Sequence, residues 1–391
     1  MSDRPPARRR PAHAGAAEGS ASRRTALEAL ARVEDDGAYS NLVLPAVLER
    51  SGLSDQDRGL VTDLVYGTIR RRRSVDHLVD RFLSSDPPPA GRRALRLGAY
   101  QLAFRPDIPA YAAVAATVEA APKRFRALTN AVLRKVAAAP VEFPDDATRL
   151  SYPDWVVERL VTDLGRDDAL AALEAMDASP GVTRRDDGYV QDLASQWVAE
   201  LVDARAGETV LDVCAAPGGK ATALAGSVGL VVAADLQPRR VRLISDNIRR
   251  LGASRVVAVV ADATVPPFRE GCADRVLVDA PCSGLGVLRR RPDARWRIDA
   301  DAPERLADLA RRIVDAAVPL VRPGGVLVYS VCTLTAAESL GIDDHLARRH
   351  PRLEALASPG APWRPWGRGA MLLPQWADTD GMCIFRYRVP G

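Results

Sequence analysis

Two cysteines of this chain sit where an apolar run gives way to small or hydroxylated residues: Cys282 in Asp279-Ala280-Pro281-Cys282-Ser283-Gly284, and Cys332 in Tyr329-Ser330-Val331-Cys332-Thr333-Leu334. Free cysteine is among the most often buried residue types, so two structural thiols are the plain reading. The other reading is a two-thiol reaction centre. A thiolate beside a methyl donor has a distinctive use: added to C6 of a cytosine, it turns C5 into an enamine carbon that can attack an activated methyl group. The ring then needs a proton or hydrogen bond at N3. Asp279 is the nearest candidate, with burial expected to raise its pKa toward a proton-donating form. Elimination of the sulfur calls for a second group, and the second cysteine can serve.

Residue chemistry alone leaves open which thiol attacks, because either depends on a pKa lowered by nearby charges or dipoles. A Pro-Cys pair is also the attacking element of DNA cytosine-C5 methyltransferases, which keeps Cys282 in contention. The other thiols are Cys214, Cys272 and Cys383, and no C-x-x-C pair occurs among the five cysteines. The four histidines, His13, His77, His345 and His350, are not interleaved with them, so no metal site is expected. Cys383 opens CIFRYRV at 383–389, which alternates like a closing antiparallel strand and reads as structural, whereas Cys272 falls in a loop.

A second cluster of signals begins at Asp212-Val213-Cys214-Ala215-Ala216-Pro217-Gly218-Gly219-Lys220, an apolar run, a turn of small residues and the start of a helix. Small side chains let a ligand come close to the backbone. The dinucleotide pattern G-x-G-x-x-G is absent, and the phosphate-loop pattern fails because Ala221 follows Lys220. Asp235 ends the next apolar run, where a carboxylate can accept hydrogen bonds from ribose hydroxyls, and Asp262 ends the one after, placed to meet a base edge. Acids without a phosphate cradle suit S-adenosylmethionine, with its positive sulfonium, better than a pyrophosphate. The plain alternative is that strand-end aspartates cap helices.

These residues need elements to bring them together. The runs TVLDV at 209–213, LVVAAD at 230–235, RVVAVVAD at 255–262, RVLVDA at 275–280 and GVLVYS at 325–330 alternate with helical stretches. Near-continuous apolar runs of this kind suit a parallel sheet covered on both faces by crossover helices, with ligands at the carboxyl ends of the strands. The expected fold class is therefore α/β, a doubly wound domain over 191–391. Ahead of it, apolar spacing is helical: Leu27, Leu30 and Val33 before Gly37, then Leu60, Val61, Leu64, Val65 and Ile69 behind an expected Ser54 N-cap, and later Leu128, Val132, Leu133 and Val136. That spacing predicts an all-α bundle over 23–140, with connector helices over 141–190.

Residues 1–22, rich in Pro, Gly, Ala and Arg, are expected to stay unfolded. They contain no apolar h-region, and no run of the chain is long enough to span a bilayer, so a cytoplasmic protein is expected. Net charge is +4 with pI about 8.9. A mild excess of this size is compatible with nucleic acid, and arginines cluster at Arg8 to Arg10, Arg70 to Arg73 and Arg289 to Arg291, either as phosphate ligands or as solvated faces. Trp363, Trp366 and Trp376 read as core packing ahead of base-stacking platforms.

Two resemblances extend this reading. YGTIRRRR at 66–73, LRLGAYQLAFRPDIPAYAAV at 95–114 and LTNAVLRK at 128–135 resemble the NusB family of helical RNA-binding domains. DVCAAPGGKAT at 212–222, DAPCSGLGVLRRRPDARW at 279–296 and PGGVLVYSVCTL at 323–334 closely resemble the RNA 5-methylcytosine methyltransferases of the Sun/RsmB and NOP2 family. The resemblance implies a Rossmann-like class I methyltransferase domain and S-adenosylmethionine as cofactor. It implies cofactor contacts at Cys214, Ala215, Ala216, Pro217, Gly218, Gly219, Lys220, Asp235, Asp262 and Asp279, with Cys332 as nucleophile and Cys282 assisting release. A NusB-like half fused ahead of it implies the RsmB arrangement: a monomer acting on a cytosine of 16S ribosomal RNA, with the helical half holding RNA while the base leaves its stack. Transfer RNA or another RNA is the alternative substrate, and a non-catalytic RNA-binding or antitermination factor the alternative function; the intact Cys282, Cys332, Asp279 and cofactor turn argue against the second.

The sequence departs from the family pattern in three places. Residues 176–195 pass almost directly into the catalytic half, so the usual small RNA-binding subdomain is shortened, with Arg184 and Arg185 as its expected remnant. Glu338-Ser339 stands where a Glu-Asn pair is usual. Tyr111 stands where histidine is usual in the NusB-like pattern.

Overall fold

The helical half follows its apolar spacing. A computed structural model, which describes residues 14–226 and 228–391, has helices over Ala14–Asp35, Ser40–Arg50, Asp55–Arg70, Arg72–Asp80, Pro89–Phe104, Ala110–Ala120 and Arg126–Ala138. Ser54 caps the third of these by accepting the Asp57 N–H at 3.2 Å, satisfying one of the donors a helix start leaves unpaired. Leu30, Leu64, Leu78, Leu95, Leu97 and Leu133 close the bundle core. The chain divides into two compact units, Met1–Pro153 with Arg291–Trp296, and Asp154–Arg290 with Arg297–Gly391.

One expectation about the start is corrected. Residues 14–22 are not unfolded but form the first turns of the Ala14–Asp35 helix, because polar partners reward their ordering. Ser22 Oγ donates to Asp57 Oδ1 at 2.9 Å, and the next residue, Arg23, is buried with its guanidinium on Gln101 Oε1 at 2.8 and 3.0 Å. The rest of the expected tail, including Arg8 to Arg10 and His13, lies outside the described residues.

Arginines of the two described clusters bond to groups of their own unit, although Arg291 is exposed. Arg71 sits 4.8 Å from the Phe104 ring centroid and donates to the Arg149 carbonyl, while Arg73 donates to Thr148 Oγ1 and the Tyr152 carbonyl. Arg70 is buried, and Arg295 donates to the carbonyls of Arg70 and Ser151 with its plane 3.9 Å from the Tyr152 centroid. In the second unit Arg289 pairs with Asp378, and Arg290 with Asp192 and Asp380. A guanidinium offers five donors in a fixed plane, so it suits convergent carbonyls and carboxylates better than an ammonium would.

Among the described residues the second unit carries a nine-stranded sheet. Its strands are β1 (Thr209–Asp212), β2 (Leu230–Asp235), β3 (Val256–Val260), β4 (Ala273–Asp279), β5 (Val321–Val331), β6 (Glu354–Ala355), β7 (Arg364–Trp366), β8 (Gly369–Leu372) and β9 (Met382–Arg388). The first five run parallel in the order β3-β2-β1-β4-β5. β9 then adds antiparallel to β5, followed by β8 and β7, and β6 pairs with β9. Strand order reverses at β1, between β2 and β4, and that crevice is where an open α/β sheet binds ligands. Trp363 is buried in the core, Trp366 donates Nε1–H to Ser339 Oγ at 3.1 Å, and Trp376 carries the Arg364 guanidinium 3.8 Å from its ring centroid.

The shortened stretch before β1 holds the helices Asp154–Leu164 and Arg166–Ala175 and then a tight hairpin. Its rungs are the Arg184 and Val190 bridge and the bonds Arg185 N–H to Tyr189 O and Gln191 N–H to Thr183 O.

Within the bundle, Gly67 lets the Asp55–Arg70 helix approach Tyr100: a Cβ there would lie 2.0 Å from the ring. Alanine gains about 1 kcal/mol of helix propensity over glycine, but displacing a ring anchored on Asp63 through its hydroxyl is overpacking, which costs about 1–3 kcal/mol or more. Gly67→Ala should therefore lower the urea midpoint of the helical unit; an unchanged or raised midpoint would contradict this packing.

Candidate active site

β1 leads into the small-residue turn expected to hold the cofactor. Its polypeptide is held open by backbone bonds from Val213 N–H to Leu277 O, Ala215 N–H to Ala234 O and Gly218 N–H to Ala215 O, at 3.1, 2.8 and 2.7 Å. Gly218 has φ +101° and a Cβ there would meet Ile244 at 3.2 Å, so both conformation and space require glycine. From outside, three donors that sequence reading missed hold the carbonyls of this turn: Arg240 on Ala216, Asn247 on Pro217 and Arg185 on Gly219. Arg185, expected as a remnant RNA ligand, is thus engaged with the turn, and it also reaches Thr222 Oγ1, Gln191 Oε1 and Asp187.

The strand-end acids line the same edge. Asp235 is buried at the end of β2, accepting the Gln237 N–H at 3.1 Å and pairing with Arg240 at 3.1 Å. Asp262 follows β3 and accepts from the Thr264 N–H and hydroxyl, and these bonds hold its pKa below the usual carboxylate range. Asp212, at the end of β1, was read only as part of the turn motif. It is fully enclosed, with Oδ1 accepting the Cys214 N–H at 3.3 Å and Oδ2 without a partner. Burial, reinforced by the charge of Asp279, pushes its pKa up to about 8. An unsatisfied buried carboxylate oxygen beneath a small-residue turn suits a cationic ligand. Cys214 is partly buried, its thiol pushed up by burial and by the surrounding acids.

The residues expected to react lie at the ends of β4 and β5. Parallel pairing sets Asp279 opposite Ser330, whose hydroxyl donates to Asp279 Oδ1 at 2.8 Å. Lys220, from the start of the Gly219–Leu224 helix, places Nζ 2.7 Å from Asp279 Oδ2. Burial disfavours the lysine charge, but Asp279 outweighs it and Lys220 titrates above its ordinary value; Cys332 and Asp212 act in the same direction. The expected burial of Asp279 is only partial: 28% of its side chain is exposed, and both its oxygens accept hydrogen bonds, one of them from an ammonium.

Cys282 and Cys332, 50 residues apart in sequence, bring their Sγ atoms to 3.3 Å. The Gly286 N–H donates to the Cys332 carbonyl at 3.0 Å, joining the two loops. The Cys282 thiol is pushed well up, first by its hydrogen bond with Cys332, then by burial and by the charges of Cys332 and Glu338. Cys383 is buried in β9, pushed up to about 12 by burial, and Cys272 is exposed in a loop. Neither joins the pair.

This arrangement was compared with known proteins. Residues 199–388 match the family described as 16S rRNA methyltransferase RsmB/F, and residues 20–138 match the NusB family. The probable ribosomal RNA small subunit methyltransferase B of Bacillus subtilis is 32% identical, over 94% of this chain and 98% of the relative. The chain belongs to the RsmB/F methyltransferase family. Ribosomal RNA small subunit methyltransferase B of Thermus thermophilus is 38% identical over 81% of this chain and 85% of its own. The crystal structure of PH0851 shares the fold with a TM-score of 0.78 at 21% identity, covering 94% of this chain and 98% of that one. This RsmB/F member is an S-adenosylmethionine-dependent RNA methyltransferase with a NusB domain ahead of its Rossmann-like half. Among the described residues no helix is long and apolar enough to cross a membrane.

Asp212 gives the RsmB/F site a measurable pH signature. Its folded pKa of about 8 exceeds that of an unfolded aspartate, about 3.9. Stability from this group is therefore complete below the lower value and is lost as pH rises through the upper one. Asp212→Asn cannot ionise. Its urea midpoint should fall less than that of the parent between about pH 6 and pH 8.5, and parallel curves would show that Asp212 does not titrate as its burial demands.

Proposed function

We propose that this enzyme methylates C5 of a cytosine in 16S ribosomal RNA through a covalent bond between Cys332 Sγ and C6 of the ring. The observation that carries the reading is the meeting of two thiols, one from the loop after β4 and one from the loop after β5, with their sulfurs 3.3 Å apart at the strand edge that also holds the Lys220 and Asp279 pair. The Cys282 thiol is pushed up by its hydrogen bond with Cys332, by burial and by the charges of Cys332 and Glu338. A thiolate is the attacking form of a cysteine, and the resemblance of PGGVLVYSVCTL at 323–334 to the later family motif gives that role to Cys332.

The chain's residues divide the work accordingly. S-adenosylmethionine supplies the activated methyl group and would be held by Cys214 through Lys220, with Asp235 toward the ribose, Asp262 toward the base and the Asp212 and Asp279 carboxylates toward its positive end. Cys332 Sγ forms the bond to C6, and the ring electrons move toward C5 while N3 takes a proton from the Lys220 and Asp279 pair. C5 takes the methyl group as N3 returns its proton to the Lys220 and Asp279 pair; solvent water then accepts the C5 proton, its electrons restore the C5–C6 double bond, and the C6–S bond breaks with its electron pair staying on Cys332 Sγ. Cys282, within hydrogen-bond reach of the departing sulfur, assists that last step. The NusB domain holds structured RNA, and the target base leaves its stack to reach the thiols, so unstacking favours a flexible or already unpaired cytosine. The reading is of a monomer working in the cytoplasm.

Cys332→Ala should show no measurable turnover while still binding S-adenosylmethionine by calorimetry. Cys282→Ala should accumulate a protein–RNA adduct that survives denaturing electrophoresis; the reverse pattern would hand the attack to Cys282. Bisulfite sequencing of total RNA from a deletion strain should show one lost 5-methylcytosine in 16S ribosomal RNA, restored by the wild-type gene. A lost site in transfer RNA would move the substrate, and no lost site would leave the RNA-binding alternative.

A further inference from the structure

Beneath the two cysteine loops lies a carboxylate that the mechanism above does not use as a reactant. Glu338 is 1% exposed, yet its two oxygens collect four donors. Oε1 accepts the Ser283 N–H at 2.6 Å. Oε2 accepts the Ser283 hydroxyl at 2.6 Å, the Thr335 hydroxyl at 2.7 Å and the Thr333 hydroxyl at 3.0 Å. Ser283 is the residue after Cys282, and Thr333 the residue after Cys332. Ser283 Oγ and Thr333 Oγ1 lie 2.8 Å apart, so each loop also touches the other through the groups the carboxylate gathers. The glutamate is itself anchored, because the Tyr329 hydroxyl donates to its backbone carbonyl at 2.6 Å.

We infer that Glu338 is a positioning residue that ties the Cys282 loop to the Cys332 loop and so fixes the spacing of the two thiols. A carboxylate serves this purpose because it only accepts, and all four groups can donate. Hydrogen bonds to an ionised acceptor are shorter and about twice as strong as neutral ones, which suits a tether that must hold two loops with no strand pairing beyond Val331. Burial raises the glutamate pKa, and the bonds from Ser283, Thr335 and Thr333 oppose that rise. The same negative charge favours the protonated form of Cys282, so the tether also supports the division of roles between the thiols. The catalytic consequence rests on the two-thiol reading above; the spacing of the thiols does not.

The test uses the full chain, with Glu338→Ala removing the tether and Glu338→Gln keeping its shape. Spacing is read without RNA, by equilibrating the protein with reduced and oxidised glutathione and mapping the Cys282 and Cys332 peptides by mass spectrometry. Two thiols give up their electrons and protons to form one disulfide as oxidised glutathione becomes two thiols. Glu338→Ala should lower the equilibrium constant for the Cys282–Cys332 disulfide by about 10-fold or more, and Glu338→Gln by no more than about 3-fold. In single-substrate kinetics Glu338→Ala should lose roughly 10²-fold in kcat with KM for RNA and S-adenosylmethionine affinity nearly unchanged, as for a misplaced reacting group, and Glu338→Gln should recover most of it.

A folded Glu338→Ala protein with parental thiol pairing would overturn the inference, whatever its activity. Should that variant not fold, Thr335→Val removes one donor and leaves the carboxylate, and a shift of about 3-fold in the same equilibrium is expected; no shift would again overturn it. If the parent protein fails to methylate RNA, the function proposed above fails, while the disulfide equilibrium still decides the tether.

Discussion

Parallel pairing of β4 with β5 is the constraint on which the site depends. It sets Asp279 opposite Ser330, so the two chains leave the sheet side by side and in the same direction. Only then can a cysteine three residues beyond Asp279 and another two residues beyond Ser330 bring their sulfurs to 3.3 Å. Parallel ladders are buried on both faces, and here Val276, Leu277, Val278, Leu327, Val328 and Tyr329 have no measurable exposure. A slip of one residue would turn each of those side chains toward the opposite face. The register that fills the core is therefore the register that aligns the chemistry.

Around that edge the charges are segregated. Lys220 lies between Asp212 and Asp279, whose charges both favour its ammonium. On the other side of the thiols, Glu338 faces hydroxyls and an N–H instead of cations. Its charge raises the neighbouring Cys282 thiol, while the charge of Cys332 favours the Lys220 ammonium.

Arginine in this protein works mainly as internal scaffolding. The clusters at Arg70 to Arg73 and Arg289 to Arg291, the densest positive runs among the described residues, serve carbonyls, aromatic faces and aspartates of their own unit. The shortened hairpin at 183–191 acts in the same way, since its Arg185 holds the Gly219 carbonyl while Tyr189 is flanked by Arg185 and Arg250. A segment that resembles a reduced RNA-binding subdomain thus supports the cofactor turn.

Local patterns in the sequence determined the elements and their order. Apolar spacing marked the helices, the Ser54 cap and the five parallel strands, because burial of one stripe or of both faces leaves a periodic trace in the residues themselves. The same runs marked Asp235, Asp262, Asp279, Cys282 and Cys332, since strand ends are where loops and ligands meet. Tertiary structure alone decided the partners. That Lys220 faces Asp279, that Asp212 keeps an orphaned oxygen, that Arg185, Arg240 and Asn247 hold one turn, and that Glu338 joins two loops all depend on residues distant in the chain. Hydrogen bonds and ion pairs of this kind act over a few ångströms and carry no period. A sequence records which groups are available, and the packing of the sheet determines which of them come within reach.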